Sequence, residues 1–244
     1  MTLLAQLLWA VLAFWLGALP FAVWIGRRVA GRDIREVGDH NPGATNVLRA
    51  GGFAPFLLAM ALDISKAAAP VGLAAQVFGW QGWPLWLIAM APPLGHAFSP
   101  LLGGRGGKAV AAIFGVWIGL TIWQLPLVGL AGVAFWFLWL VDAGWVVLLS
   151  LLTMLVYLLA WRPNPLLIAV AVGQLPLIIY THRATLAHRP RLRRARRRLD
   201  GEDGQGVGPD QHEEQPQDDV ARRRRQAGAA GDVDQPRRQE EQQQ

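Results

Sequence analysis

From Leu3 to Ile25 the chain carries no charged side chain. At about 1.5 Å per residue this run is long enough to cross a hydrocarbon core of about 30 Å. A backbone that enters lipid must satisfy its own hydrogen bonds, so the run is expected to be helical. No basic segment precedes it, and Arg27 and Arg28 follow it directly. A cleaved signal peptide shows the reverse order of charge. The first helix is therefore expected to be retained, with its N-terminus outside and its far end in the cytoplasm.

Further apolar runs follow, at about 53–80, 83–98, 109–123, 125–141, 145–161 and 165–181. Together they predict an all-α, polytopic membrane helix bundle of about seven spans, with the C-terminus cytoplasmic. Several runs are near or below the usual spanning length, so five or six crossings are the alternatives. With seven, the Arg27–Arg49 loop, the Arg105–Lys108 loop and the region from His182 onward share the cytoplasmic face. Only Arg162 falls outside. Twelve Trp against two Tyr suit a membrane protein with Trp near its interfaces. The absence of Cys excludes disulfides, thiolate metal sites and a Cys nucleophile.

Two domains are expected: an integral-membrane part, 1–188, and a basic, then mixed-charge tail, 189–244. The tail has few apolar residues after Leu199 and is expected to be disordered. Its Arg-rich start, Arg191 to Arg198, suits anionic lipid headgroups. The net charge of +6 sits in loops and tail and suits phosphate or lipid partners. No nucleic-acid partner is expected, and the oligomeric state is open.

Three polar clusters carry chemistry. Gly38 to Arg49 is rich in turn formers. Asn41, Thr45 and Asn46 offer side-chain hydrogen bonds, Arg49 a planar fork of donors, and backbone N–H groups near Gly43 a concave anion site. Its bland reading is a solvated inter-helix loop. Gly103 to Lys108 places four glycines around Arg105 and Lys108 at the start of a helix. That pattern can present N–H groups and charge to a phosphate, or be a flexible basic turn. It is not a P-loop, because Ala109 follows Lys108. His182 and Arg183 end the last apolar run and read alone as a basic helix end. Asp63 and Lys66 share a face of the second run as a buried ion pair. No His-x-x-x-Asp, Gly-x-Ser-x-Gly or His-Glu-x-x-His pattern occurs, and no metal site or cofactor is expected.

Taken together, these residues resemble the PlsY family of bacterial membrane acyl-phosphate:glycerol-3-phosphate acyltransferases, from about Leu16 to Leu186. Gly38, Asn41, Gly43, Ala44, Thr45, Asn46 and Arg49 match a first motif, Gly-Ser-Gly-Asn-x-Gly-Ala-Thr-Asn-x-x-Arg. Asp33-Ile34-Arg35, and Asp63 with Lys66, also look like the family. Gly95-His96 with Phe98, then Gly106-Gly107-Lys108-Ala109-Val110-Ala111, resembles the second motif. His182-Arg183 matches the start of a third, His-Arg-x-Asn-Ile. The departures are Asp39 for Ser, His40 for Gly, Arg105 for Lys and Thr185 for Asn. A carboxylate at 39 would repel a phosphate unless His40, Arg49 or Lys108 compensates it.

The resemblance implies transfer of a fatty acyl group from acyl-phosphate to the sn-1 hydroxyl of glycerol 3-phosphate, in the bacterial cytoplasmic membrane. It implies phosphate clamping by Arg49 and Lys108, with His182 at the glycerol 3-phosphate. Substrate contacts are expected from Asp39, Asn41, Gly43, Thr45, Asn46, Lys66, His96, Arg105, Gly106, Gly107, Arg183 and Thr185. A diverged homologue with another acceptor or a non-catalytic lipid-binding role is the alternative, and a transporter or scaffold the third reading.

Overall fold

The computed structural model describes residues 2–193. The mixed-charge tail and Arg194 to Arg198 of the basic cluster lie outside the described residues. The described part is all-helical: α1 Leu3–Ala18, α2 Phe21–Val29, α3 Ala44–Gly51, α4 Phe53–Gly72, α5 Gly82–Ala97, α6 Val110–Thr121, α7 Gln124–Trp139, α8 Ala143–Trp161, α9 Pro165–Thr181 and α10 Arg183–Leu186. Four stretches are long and apolar enough to cross a membrane: Leu3–Val29, Phe53–Val77, Gly82–Leu102 and Ala143–Trp161. The helices α6, α7 and α9 are apolar but shorter, with 12, 16 and 17 residues.

The first apolar run is not one helix. It breaks at Leu19 and Pro20, between α1 and α2. Proline has no N–H to continue the ladder, and it drives the residue before it out of the helical region; Leu19 is extended, with φ −60° and ψ 122°. The break leaves the last carbonyls of α1 without helical partners. Two side chains from elsewhere take them. Ser99 Oγ donates to Ala18 O at 2.6 Å, and Lys66 Nζ donates to Leu19 O at 2.7 Å. At the opposite end, Gln76 Nε2 donates to Gly119 O and Leu120 O, the terminal carbonyls of α6. Gln76 reaches them from a π-helical turn, Leu73–Val77, that prolongs α4.

Close approach between helices is set by small residues, since lipid supplies no hydrophobic drive for their association. Against α5, a Cβ at Gly17 of α1 would lie 2.3 Å from Pro92 O, and one at Gly95 of α5 would lie 2.1 Å from Phe14 O. A Cβ at Gly115 of α6 would lie 2.2 Å from Ile64 O of α4. The main core sits between these pairs and includes Ile88, Val116, Trp117, Leu158 and Val170. A second core lies under the loop between α2 and α4. Ile34, from a short 3₁₀ turn, and Val47 of α3 are fully buried there with Val23 and Ala59. Ile34 and Val47 each stabilise by about 1.5–3 kcal/mol on burial. The Gly38 to Arg49 loop is therefore anchored rather than freely solvated.

At the C-terminal boundary, the Arg191 guanidinium pairs with Asp142 at 2.6 Å, and Val141 N donates to Arg191 O. Residues 191 and 192 thus lie along the α7–α8 turn.

Replacing Gly95 by Val is expected to destabilise the bundle by about 1–3 kcal/mol, through overpacking against the Phe14 carbonyl. Gly72→Ala, whose new Cβ would meet nothing nearer than 3.5 Å, is expected to be near neutral. Unfolding of the two variants in detergent, compared with the wild type, measures the difference.

Candidate active site

Three elements meet at one end of the bundle: the loop entering α3, the loop entering α6, and the end of α9. The first loop folds onto itself before it meets the others. Asn46, buried in α3, donates through Nδ2 to Asn41 O and to Asp39 Oδ1, both at 2.9 Å. Its Oδ1 accepts from Arg49 at 2.9 Å. Arg49 passes over Gly38, which has φ +61°. A Cβ on Gly38 would stand 2.1 Å from the guanidinium, so both the conformation and the space require glycine. Gly43 is extended and caps α3 without a side chain.

Lys108 arrives from the second loop. Its ammonium is 2.7 Å from Asp39 Oδ2, while Arg49 lies 3.9 Å from Oδ1. The carboxylate at 39 is thus compensated by Lys108 and, at longer range, by Arg49. His40 takes no part, because its Nδ1 contacts Arg35 O at 2.9 Å. Burial pushes the Asp39 carboxyl up. The Lys108 hydrogen bond and charge, with the Asn46 side chain and the Asn41 amide, outweigh it and hold the pKa below 3.8. Upstream, the Arg35 fork, aided by Arg27, holds Asp33 well below the usual carboxylate range and stiffens the turn into the loop.

The second loop is fixed by α5. Gly107 N donates to His96 O and Gly106 N to Ala97 O, at 3.1 and 3.0 Å. The expectation that these two amides face a phosphate is corrected: both are spent on the end of α5. The His96 ring lies against Gly107, where a Cβ would be 2.3 Å from Nε2. His96 therefore shapes the loop that carries Lys108. Ala109 then takes φ +61° and starts α6. Arg105 is exposed and has no side-chain partner among the described residues.

Beneath this loop, Lys66, Asp63 and His96 form a separate buried cluster. Lys66 Nζ is 2.7 Å from Asp63 Oδ1, and His96 Nδ1 is 3.9 Å from the same oxygen. Asp63 Oδ1 has charge contact but no hydrogen bond of good geometry. Lys66 is committed to Asp63 and to the Leu19 carbonyl, apart from the Asp39 group.

His182 lies just past α9 and is buried, 3% exposed. Its Nδ1 is 3.2 Å from Ile178 O and 3.1 Å from Thr181 Oγ1. A carbonyl only accepts, so that contact puts the proton on Nδ1 and leaves Nε2 a lone pair. Thr181 Oγ1 is also within 3.3 Å of Lys108 O, which ties His182 to the second loop. Gly144 of α8 allows the approach: a Cβ there would lie 2.9 Å from Thr185 Cβ and 3.2 Å from His182 Cβ. Arg183 turns away, donating to Tyr180 O and stacking on the Tyr180 ring.

The structure thus joins Asp39, Asn41, Asn46, Arg49 and Lys108, with His182 linked through Thr181. It leaves Thr45 exposed at the first turn of α3 and Arg105 exposed in the second loop, and it places Lys66, Arg183 and Thr185 on other contacts. Sequence reasoning gave no role to Thr181 or Ser99, although one adjoins His182 and the other follows His96 by three residues. It had no signal for Gly144, whose role comes from long-range packing. Among the described residues no group of His, Asp and Glu suits a metal ion.

A helical membrane bundle with a basic, carboxylate-compensated site at one end is the class these features define. The family model described as glycerol-3-phosphate acyltransferase matches residues 7–190, and the chain belongs to that family. A glycerol-3-phosphate acyltransferase of Desulfovibrio desulfuricans is 41% identical over 122 residues, 49% of this chain and 53% of the relative. One from Anaeromyxobacter dehalogenans is 44% identical over 123 residues, 48% of this chain and 60% of the relative. The matched stretch therefore spans little more than half the length of these two relatives. The protein of the same description from Rubrobacter xylanophilus is 33% identical over 205 residues, 82% of this chain and 98% of the relative. Among solved structures, PlsY, an integral membrane glycerol 3-phosphate acyltransferase, in its glycerol 3-phosphate form superposes with a TM-score of 0.68. It is 29% identical and covers 81% of this chain and 93% of its own. With its apolar helices and this likeness, the protein is a multi-pass integral membrane protein.

The folded Asp39 carboxyl titrates below the value it has in the unfolded chain. Its pairing therefore contributes fully above about pH 4 and is lost as pH falls through the folded pKa. In Lys108→Ala the burial remains and the largest compensating charge goes, so the Asp39 pKa is expected to rise from its wild-type value. Carbon-13 detection of the Asp carboxyls during a pH titration reads this shift.

Proposed function

We propose that the protein transfers a fatty acyl group from acyl-phosphate to the sn-1 hydroxyl of glycerol 3-phosphate, giving lysophosphatidic acid and phosphate for phospholipid synthesis. The observation that carries this reading is the meeting of Lys108 and Arg49 at Asp39, with His182 tied in through Thr181. Two cations at one carboxylate make a site for a dianionic phosphate once the carboxylate gives way. Phosphate displaces Asp39 from Lys108, and Arg49 supplies a second charged contact. The two similar PlsY structures, a glycerol 3-phosphate form and a lysophosphatidic acid form, support this acceptor and product.

In the reaction, the glycerol hydroxyl oxygen attacks the acyl carbonyl carbon. The bond from that carbon to the phosphate oxygen breaks, and phosphate leaves with the electron pair. The hydroxyl proton passes to a phosphate oxygen. The donor is already activated, so positioning and charge neutralisation supply most of the rate and no covalent nucleophile is required. His182 Nε2, with its lone pair, accepts a hydrogen bond from the glycerol 3-phosphate hydroxyls. A narrow apolar cleft lined by Val110, Phe114, Trp117, Val133, Met154 and Ile178 begins two residues past Lys108 and suits the acyl chain.

The topology that goes with this reading is seven crossings in the bacterial cytoplasmic membrane, N-terminus outside, with the site and C-terminus cytoplasmic. The shorter helices α6, α7 and α9 then cross with little tilt or in a thinned bilayer. The composition of the basic start of the 189–244 tail suits anionic headgroups of the inner leaflet.

Purified protein given palmitoyl-phosphate is expected to release phosphate only with glycerol 3-phosphate, forming lysophosphatidic acid. Lys108→Ala and Arg49→Ala are each expected to lower turnover by 100-fold or more, in keeping with loss of about 3 kcal/mol of charge stabilisation. Near-normal turnover in both would sink the proposed site. Asp39→Ser removes the competing carboxylate and is expected to lower the KM for glycerol 3-phosphate several-fold; an unchanged or raised KM would refute the displacement step.

A further inference from the structure

Arg162 has no place in the proposed reaction, and it lies at the other end of the bundle. The helix α6 leaves the Lys108 loop and ends at Thr121, and α9 begins at Pro165 and ends beside His182. At about 1.5 Å per residue these helices put roughly 18–26 Å between the two ends. At the remote end the α6–α7 turn and the α8–α9 turn enclose a cavity of about 390 Å³. Its polar lining comes from Thr121, Gln124, Tyr157, Arg162 and Asn164, and its lining contains no carboxylate.

The groups in this cavity that remain free are mainly donors. Asn164 Oδ1 is committed to the N–H groups of Leu166 and Leu167, which leaves its Nδ2. Thr121 Oγ1 is committed to Trp117 O and Leu125 N. The Arg162 guanidinium, the Gln124 amide and the Tyr157 hydroxyl have no hydrogen-bond partner among the described residues. A donor-rich cavity with one guanidinium and no acid selects an anion with several acceptor oxygens.

The rim is apolar. Ile122, Trp123 and Trp161 are 61%, 62% and 71% exposed, and Leu127 and Leu159 continue the exposed surface along α7 and α8. Trp at this level is typical of a membrane interface. The turn itself is held in a costly form: Ile122 has φ +59°, a region that a β-branched residue rarely enters. A free phosphate would use the donors and leave the apolar rim unexplained. A phospholipid uses both.

We infer that this cavity binds the phosphate of an anionic phospholipid headgroup, with Arg162 as its charge partner and the acyl chains along the exposed faces of α7 and α8. The site lies across the membrane from Lys108, takes lipid from the opposite leaflet, and does not depend on the proposed acyl transfer.

The test is a titration of the purified full chain in detergent with short-chain phosphatidylglycerol, phosphatidylcholine or inorganic phosphate, read by native mass spectrometry and by melting temperature. The basic loops at the other end also attract anionic lipid, so the comparison is between wild type and variants. Arg162→Gln is expected to weaken the tightest phosphatidylglycerol binding about tenfold, the scale of a lost charge-assisted hydrogen bond. Gln124→Leu, at a second donor, is expected to weaken it several-fold. Arg162 is exposed and Gln124 half-buried, and elution as a single species confirms folding. Wild-type affinity in both variants would overturn the site. Equal stabilisation by inorganic phosphate, or by phosphatidylcholine, would overturn the anionic lipid as its ligand.

Discussion

The break at Leu19 and Pro20 is the constraint on which the arrangement of this protein depends. Carbonyls exposed by a broken helix cannot be left bare in an apolar environment. Ala18 O and Leu19 O are taken by Ser99, just beyond α5, and by Lys66 of α4. Two separate segments are thereby tied together by the backbone of a third, directly beneath the polar loops. Lys66 can serve only because Asp63 stands beside it; a buried ammonium without an anion would be strongly unfavourable. The glycine contacts between α1 and α5 bring the two helices close enough for these bonds to form.

Above this knot the site is held as a set of linked carbonyl and side-chain bonds. His96 belongs to both layers. Its ring is near Asp63 below, and its carbonyl receives Gly107 N above. The loop that carries Lys108 is thus registered against the same helix end that Ser99 follows. The first loop is held differently, by Ile34 and Val47 in its own small core. The two loops meet through charge at Asp39 and Lys108, and Leu102 of the second loop packs against the first loop's core. The charge contact is side chain to side chain and partly exposed, and in the proposed reaction a phosphate replaces the carboxylate there. Before that, Asp39 offsets one of the two positive charges of the resting site, where the family pattern has an uncharged Ser.

The two ends of the bundle differ in kind. Among the described residues, one collects most of the cationic groups and a buried His, and the other holds a single Arg among aromatic residues. Short helices make this possible. Only a limited length of α6 and α9 separates the two ends, and Gln76 closes the far end of α6 as Ser99 and Lys66 close the near end of α1.

Much of this was legible in the chain. Long uncharged runs can satisfy their backbones in lipid only as helices, so the all-helical membrane class followed from composition and run length. The Gly38 to Arg49 and Gly103 to Lys108 patterns marked the polar loops, because glycine and proline interrupt helices wherever they fall. Tertiary structure alone decided where those loops' atoms are spent. Nothing local says that the Gly106 and Gly107 amides turn back to α5, or that Lys66 reaches Leu19 instead of a substrate. It does not say that Asp39 finds Lys108, or that Gly144 opens the space beside His182. Those outcomes depend on which helices touch, and helix contacts are set by small residues many positions apart. A residue's type limits what it can bind, whereas its partner is fixed by what packing brings within about 3 Å of it.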